Sequence, residues 1–183
     1  IIARELGVPA VVGGGGHLEW WPEPTVPVVG CRHRAITTIG LIGSATALIV
    51  EEVSLGRSGE PPGRLDLELR VTRDDQPLVH HTERLGPDLP GWGSVVHVGP
   101  ARHLVTMVEV GQVGPAGQFG VSNIGSDGGS VVVGDPRSEV SLARLRVADD
   151  VVVTLAVGPD RPTTLRSVRA DRRVSPDCSR QAG

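Results

Sequence analysis

The clearest alternation of apolar and polar positions runs from Arg64 to Arg73 (RLDLELRVTR). Leu65, Leu67, Leu69 and Val71 fall on one side, and Asp66, Glu68, Arg70 and Thr72 on the other. A period of two with charge on one face predicts a half-solvated strand. Asp74-Asp75-Gln76 then reads as a hairpin turn, and Pro77 to Leu85 as the returning strand. Ahead of this pair, Leu18 to Trp21, Val28 to Arg34 and Ala35 to Leu41 read as short strands. Ala45 to Leu55 (ATALIVEEVSL) also reads as a strand, because its β-branched residues outweigh its helix-tolerant Ala and Glu.

After the hairpin, short strands are predicted at Val95 to Val98, Leu104 to Val110, Gln118 to Ser122, Ser130 to Val133 and Val151 to Val157. Residues 1 to 12 fit either a short helix or a strand, and Pro9 excludes a long helix. Glu139 to Val147 (EVSLARLRV) is a helix candidate, since Leu142 and Leu145 share a helical face. Thr163 to Ala170 is a second, shorter one, and Asp171 to Gly183 reads as a flexible tail. The fold class is therefore mainly β with one or two short helices near the C-terminal end. From pattern alone, a β-sandwich is the default arrangement.

Composition sharpens this reading. The 183 residues include 25 glycines and 15 prolines, which favours turns over long helices. A single domain is expected over 1–170. The formal net charge of −3 argues against bulk capture of nucleic acid, and 2% aromatic residues leave few stacking platforms. Neither a signal peptide nor an apolar span of membrane length is visible, so a cytoplasmic protein is expected. Cys31 and Cys178 read as unpaired thiols.

Candidate chemistry concentrates in His17 to Thr25 (HLEWWPEPT). Trp20 and Trp21 supply apolar bulk, Pro22 and Pro24 break the ladder, and Glu19 and Glu23 place carboxylates beside that bulk. A buried arginine such as Arg32 or Arg34 would be the ordinary partner for those carboxylates. Glu52, Arg57 and Glu60 suggest a charged cluster at a strand end. Other chemistry has little support. His80 and His81 are adjacent and face opposite sides of a strand, and His97 and His103 converge only if the intervening turn folds that way. The glycine run at 13–16 lacks the phosphate-loop ending, and no nucleophile-elbow pattern occurs.

The corner Leu18-Glu19-Trp20-Trp21-Pro22-Glu23-Pro24-Thr25 resembles a signature of the urease accessory protein UreD (UreH) family. Later features keep the family's order: Glu52, Leu55-Gly56-Arg57, Gly59-Glu60, Gly63, then Arg73-Asp74-Asp75-Gln76-Pro77-Leu78. Pro61-Pro62 and Asp75 depart from the pattern, and the family's N-terminal portion is not represented. The resemblance implies a right-handed β-helix-like stack of strands, the β-sandwich remaining the alternative. It further implies a non-enzymatic scaffold that binds urease apoprotein with UreF and UreG, with room for a homodimer within that complex. No tightly bound cofactor is implied; nickel passes through in transit. On this reading Glu19, Glu23 and Glu52 line the transit path. Trp20, Trp21, Pro22, Pro24, Arg57 and Glu60 serve structure or interaction. The competing reading is a β-sandwich ligand- or carbohydrate-binding module with Trp20, Trp21 and Trp92 as a stacking face.

Overall fold

The computed structural model describes residues 5–92, 94, 98–111, 131–133 and 139–173. Its strands are β1 (Glu5–Val12), β2 (His17–Trp20), β3 (Arg32–Leu41), β4 (Thr46–Ser54), β5 (Arg64–Arg73), β6 (Gln76–Leu85), β7 (His103–Val110), β8 (Val131–Val133), β9 (Ser141–Ala148) and β10 (Val151–Gly158). The helix α1 spans Arg161–Arg173. The strands form a four-stranded sheet, β1-β3-β5-β6, and a six-stranded sheet, β2-β4-β7-β10-β9-β8.

Successive strands alternate between these sheets as far as β5. Within each sheet β1, β3 and β5, and likewise β2 and β4, run parallel. The chain thus winds from one sheet to the other, as the strands of a coil do. From β6 onward every further pairing is antiparallel. The chain is mainly β, as its patterning requires, and the sheets are mixed.

Side-chain parity then builds three layers. Leu65, Leu69 and Val71 of β5 face the six-stranded sheet. There Leu69 and Val71 join Ile39, Leu41, Ala47, Ile49, Val108, Val110, Val151 and Val153 in one apolar cluster. Leu65 joins a second cluster with Val53, Leu55, Leu85, Val98 and Leu104. On the other face of the six-stranded sheet, Leu48, Val50, Val105, Met107 and Ala156 pack under Leu165 and Val168 of α1. Burying side chains of this size stabilises the fold by about 1.5–3 kcal/mol each.

The sequence reading meets the structure closely at β4, β5, β7 and β10. The hairpin turn is Asp74-Asp75, with φ of 47° and 63°. Aspartate tolerates the left-handed region, and two such residues make the turn whose twist suits a hairpin. Val28 to Arg34 and Ala35 to Leu41 are not two strands: one strand, β3, runs through Arg32–Leu41. The expected helix over Glu139 to Val147 is instead β9. Leu142 and Leu145 lie on opposite faces of that strand, so neither face alternates cleanly, and their spacing of three mimics a helix. Pairing with the valine-rich β10 decides the outcome. The second expected helix exists and is longer, Arg161–Arg173 rather than Thr163 to Ala170. Asp160 caps it, its Oδ1 accepting the Thr163 N–H at 2.8 Å. The expected strands at Val95 to Val98 and Gln118 to Ser122 lie largely or wholly outside the described residues, as do Cys178 and residues 174–183 of the expected tail.

Gly63 is fixed by space. A Cβ there would lie 2.5 Å from Cys31 Sγ, 2.8 Å from the Cys31 carbonyl oxygen and closer still to that of Val28. The backbones cannot give way, because Gly63 N–H donates to Pro27 O and Arg64 N–H to Cys31 O. Gly63→Ala should lower stability by about 1–3 kcal/mol, read as a drop in the urea midpoint with an unchanged slope.

Candidate functional site

The corner at residues 21–24 is built by a mismatch between β2 and β4. Trp20 lies opposite Ile49, while Thr25 bridges Val53, so five steps of one chain span four of the other. Pro22 and Pro24 occupy the extra length, where no ladder donor is required. The chain then rejoins β4 through Thr25 N–H to Glu52 O at 2.9 Å and Ser54 N–H to Thr25 O at 3.0 Å. Strand parity sends the two tryptophans to opposite sides. Trp20 packs against the inter-sheet cluster, its indole N–H buried without an acceptor. Trp21 turns toward α1.

Under Trp21 sits Glu52, with its side chain fully buried. Its Oε1 accepts the Trp21 indole N–H at 2.5 Å and Arg161 Nη2 at 3.0 Å; its Oε2 accepts Arg161 Nε at 2.6 Å. The Arg161 contact is therefore a two-pronged guanidinium–carboxylate fork. His103 Nε2 lies 3.2 Å from Glu52 Oε2, without hydrogen-bond alignment, while Nδ1 pairs with Ser54 Oγ at 3.1 Å. Burial raises the Glu52 pKa, but the Arg161 and Trp21 donors outweigh it and hold the carboxyl below its ordinary value. Burial pushes the His103 imidazole down, against the pull of the Glu52 charge, and keeps the ring neutral.

Beside this knot, a cleft of about 570 Å³ opens between the 56–61 loop and the start of α1. The loop closes on itself: Glu60 Oε1 accepts the Arg57 N–H at 3.0 Å, and Glu60 N–H reaches Arg57 O at 3.2 Å. Arg102 Nη2 braces it from outside through the carbonyls of Arg57 and Glu60. Gly56, at φ 73°, faces the Glu60 and Pro61 carbonyls too closely for a side chain.

A second polar group lies between the sheets and separates the two inter-sheet apolar clusters. Thr37 Oγ1 donates to Glu51 Oε1 at 2.7 Å, and Thr106 stands opposite Glu51 in register. His81 and Glu83 face inward from β6, with Nε2 and Oε2 3.4 Å apart. Burial raises the Glu51 pKa, opposed by the Thr37 hydrogen bond and by His81.

The expected site residues separate. Glu52, Trp21 and Glu23 gather at Arg161, Glu23 through its electrostatic effect on that guanidinium. Glu19 is exposed on β2, and Arg57 and Glu60 belong to the cleft loop rather than to a cluster with Glu52. The expected carboxylate partners Arg32 and Arg34 lie elsewhere, beside Asp88 and Glu68. Trp92 packs against the second inter-sheet cluster, so the three tryptophans form no common stacking face. His80 faces out to Glu68 and His81 faces in, as adjacency demands. Among the described residues, no three His, Cys, Asp or Glu side chains lie close enough to hold one metal ion. No helix among them is long and apolar enough to cross a membrane.

Arg161 and Ser54 escaped the sequence reading, and His103 entered it only beside His97. Arg161 did leave a signal: a cation in the first turn of a helix opposes the helix dipole, so a local carboxylate is needed to hold it there.

Two packed sheets with α1 on one face, and ionic groups held among them, define a mainly β protein. Comparison with known proteins gives that protein its family. The family model of the UreD urease accessory protein matches residues 5–170. The chain is 32% identical over 170 residues to the urease accessory protein UreD of Parafrankia sp. (strain EAN1pec), covering 82% of this chain and 49% of that protein. It is 36% identical over 95 residues to UreD 2 of Saccharopolyspora erythraea, covering 52% and 34%. With UreD 3 of Streptomyces griseus it shares 40% over 85 residues, covering 46% and 33%. The chain belongs to the UreD urease accessory protein family, and it spans about half or less of the length of these relatives.

Breaking the fork strands a buried charge. Arg161→Ala should destabilise the fold by about 3 kcal/mol, measured by urea unfolding at pH 7. In the folded chain Glu52 stays ionised, and His103 neutral, to lower pH than in the unfolded chain. Both contributions are therefore lost on acidification: that of His103 as pH falls below about 6.5, that of Glu52 below the ordinary 4.5. His103→Gln should flatten the upper of these two limbs and leave the lower one. Glu51 has the opposite sign: its raised pKa makes its ionised form a burden as pH rises. Glu51→Gln should therefore lose less stability than the parent chain as pH rises above the ordinary 4.5, read by urea unfolding across pH.

Proposed function

We propose that this chain is the β scaffold of a UreD protein that acts without turnover of its own. With UreF and UreG it binds urease apoprotein in the cytoplasm and enables nickel insertion into the urease active site. The observation that carries the reading is family membership, together with the place of the family-like corner in this fold. Trp21, Pro22, Pro24 and Glu52 form one unit with α1, which suits a rigid body that holds partners in register. The first half of the chain, in this reading, is a right-handed β-helix-like coil, and a homodimer within the accessory complex remains part of the proposal.

Nickel is cargo here, not a resident ion. A cation in transit needs oxygen and imidazole ligands that release it, rather than a closed cage. We assign Glu19 and Glu23 to the outer part of its path. Glu52 joins that path only when Arg161 gives up its fork, since both carboxylate oxygens are otherwise engaged. Glu51, His81 and Glu83 are the interior groups of suitable chemistry. Arg57 and Glu60 shape the cleft and serve interaction rather than metal contact.

The whole protein carrying this chain, expressed with the urease and accessory proteins of its own source, should restore urease activity at limiting nickel to cells lacking it. Cells that stay urease-negative despite a soluble accessory complex would overturn the assignment. Glu19→Ala combined with Glu23→Ala should reduce nickel per urease active site by about tenfold, the loss reported for changes around metal ligands, while urease still co-purifies. Unchanged nickel content would remove these two residues from the path.

A further inference from the structure

The chain's charge is unevenly placed. The thirteen residues of α1 carry five arginines, Arg161, Arg166, Arg169, Arg172 and Arg173, against Asp171 alone. Subtracting that +4 from the chain's −3 leaves the other residues at −7. Arg161 is neutralised by Glu52, but Arg166 and Arg169 are exposed. Arg166 donates to Thr163 Oγ1 at 3.2 Å, and Asp160, which feels its charge, is engaged as the helix cap. Arg169 stacks on Trp21 with its guanidinium carbon 5.4 Å from the ring centroid.

Trp21 is itself unusual. It keeps 36% of its surface in solvent although its indole N–H is locked onto buried Glu52. Around it lie Leu48, Val50, Met107, Leu165 and Val168, which line a small crevice between helix and sheet. A half-exposed tryptophan clamped between a buried carboxylate and an arginine loses little further freedom on binding. Arginine and tryptophan are also the residues that most often dominate interface energetics.

We propose that this surface, centred on Trp21 and the Arg166–Arg169 stripe, is a docking site for an acidic segment of a protein partner. That segment presents Asp or Glu side chains to the stripe and one apolar side chain to Trp21. The chain itself does not supply it: the undescribed residues hold only Asp127, Asp135 and Asp177, far apart in sequence. Nucleic acid is the poorer match, because the stripe is short and its aromatic ring is already stacked under Arg169. The inference adds a partner face to the scaffold reading above, but its test does not depend on nickel delivery.

The test uses a fluorescein-labelled peptide of four Glu-Glu-Leu repeats, read by anisotropy at low and physiological salt. The parent chain should bind it, more weakly as salt rises. Arg166→Glu with Arg169→Glu should weaken binding by about tenfold or more, with far-UV dichroism unchanged. The same double variant should gain binding to a Lys-Lys-Leu peptide of equal length. Arg84→Glu, on the other sheet, should bind like the parent. Equal binding by parent and double variant would overturn the proposal. So would binding of heparin without the peptide, or binding of a twelve-residue polyglutamate as tight as that of the leucine-bearing peptide, which would remove the apolar contact. Failure here with normal urease activation would leave the scaffold reading standing and remove only this face.

Discussion

One buried carboxylate ties together three distant parts of the chain. Glu52 belongs to β4, yet its oxygens are satisfied by Trp21, 31 residues earlier, and by Arg161, 109 residues later. A carboxylate taken out of water is expensive unless its lone pairs are filled, and here charged and indole donors fill them. The position of the helix is set by this fork together with the packing of Leu165 and Val168 on the sheet. The corner at residues 21–24 is fixed by the same group, because Trp21 must turn its N–H toward it.

The arrangement separates two kinds of polar interior. On the helix side, Glu52 is held ionised by donors and His103 is held neutral by burial. Between the sheets, Glu51 faces Thr37 and His81 with weaker support, and its proton affinity rises. Adjacent residues on one strand thus titrate in opposite directions, because strand parity places them in different layers.

Much of the fold was legible where pattern and local preference agreed. Leu65 to Val71 alternates cleanly because β5 has one face on the core and one in water. The double-aspartate turn follows from residues that accept positive φ. Legibility failed where tertiary pairing overruled spacing, as at Leu142 and Leu145, whose two faces are both half-covered. The site was readable in its residue types but not in its pairings. Glu52 and the tryptophans stood out, yet their partner could not be named, since nothing local connects position 52 to position 161. Arg32 and Arg34 were nearer in sequence and of the right chemistry, but they point from the outer face of the four-stranded sheet. The family likeness of the corner was legible because proline and tryptophan leave a recognisable imprint even where their contacts are unknown.

The 109-residue separation between Glu52 and Arg161 also orders events during synthesis. By the time β4, β5 and β6 have left the ribosome, the carboxylate that will anchor them still lacks its cation. At about 5–20 residues per second, several seconds pass before α1 emerges. Through that interval Leu48 and Val50, which α1 will cover, lie bare, and Met107 joins them once β7 is made. Until α1 is made, the sheet face that it covers stays open to misassociation.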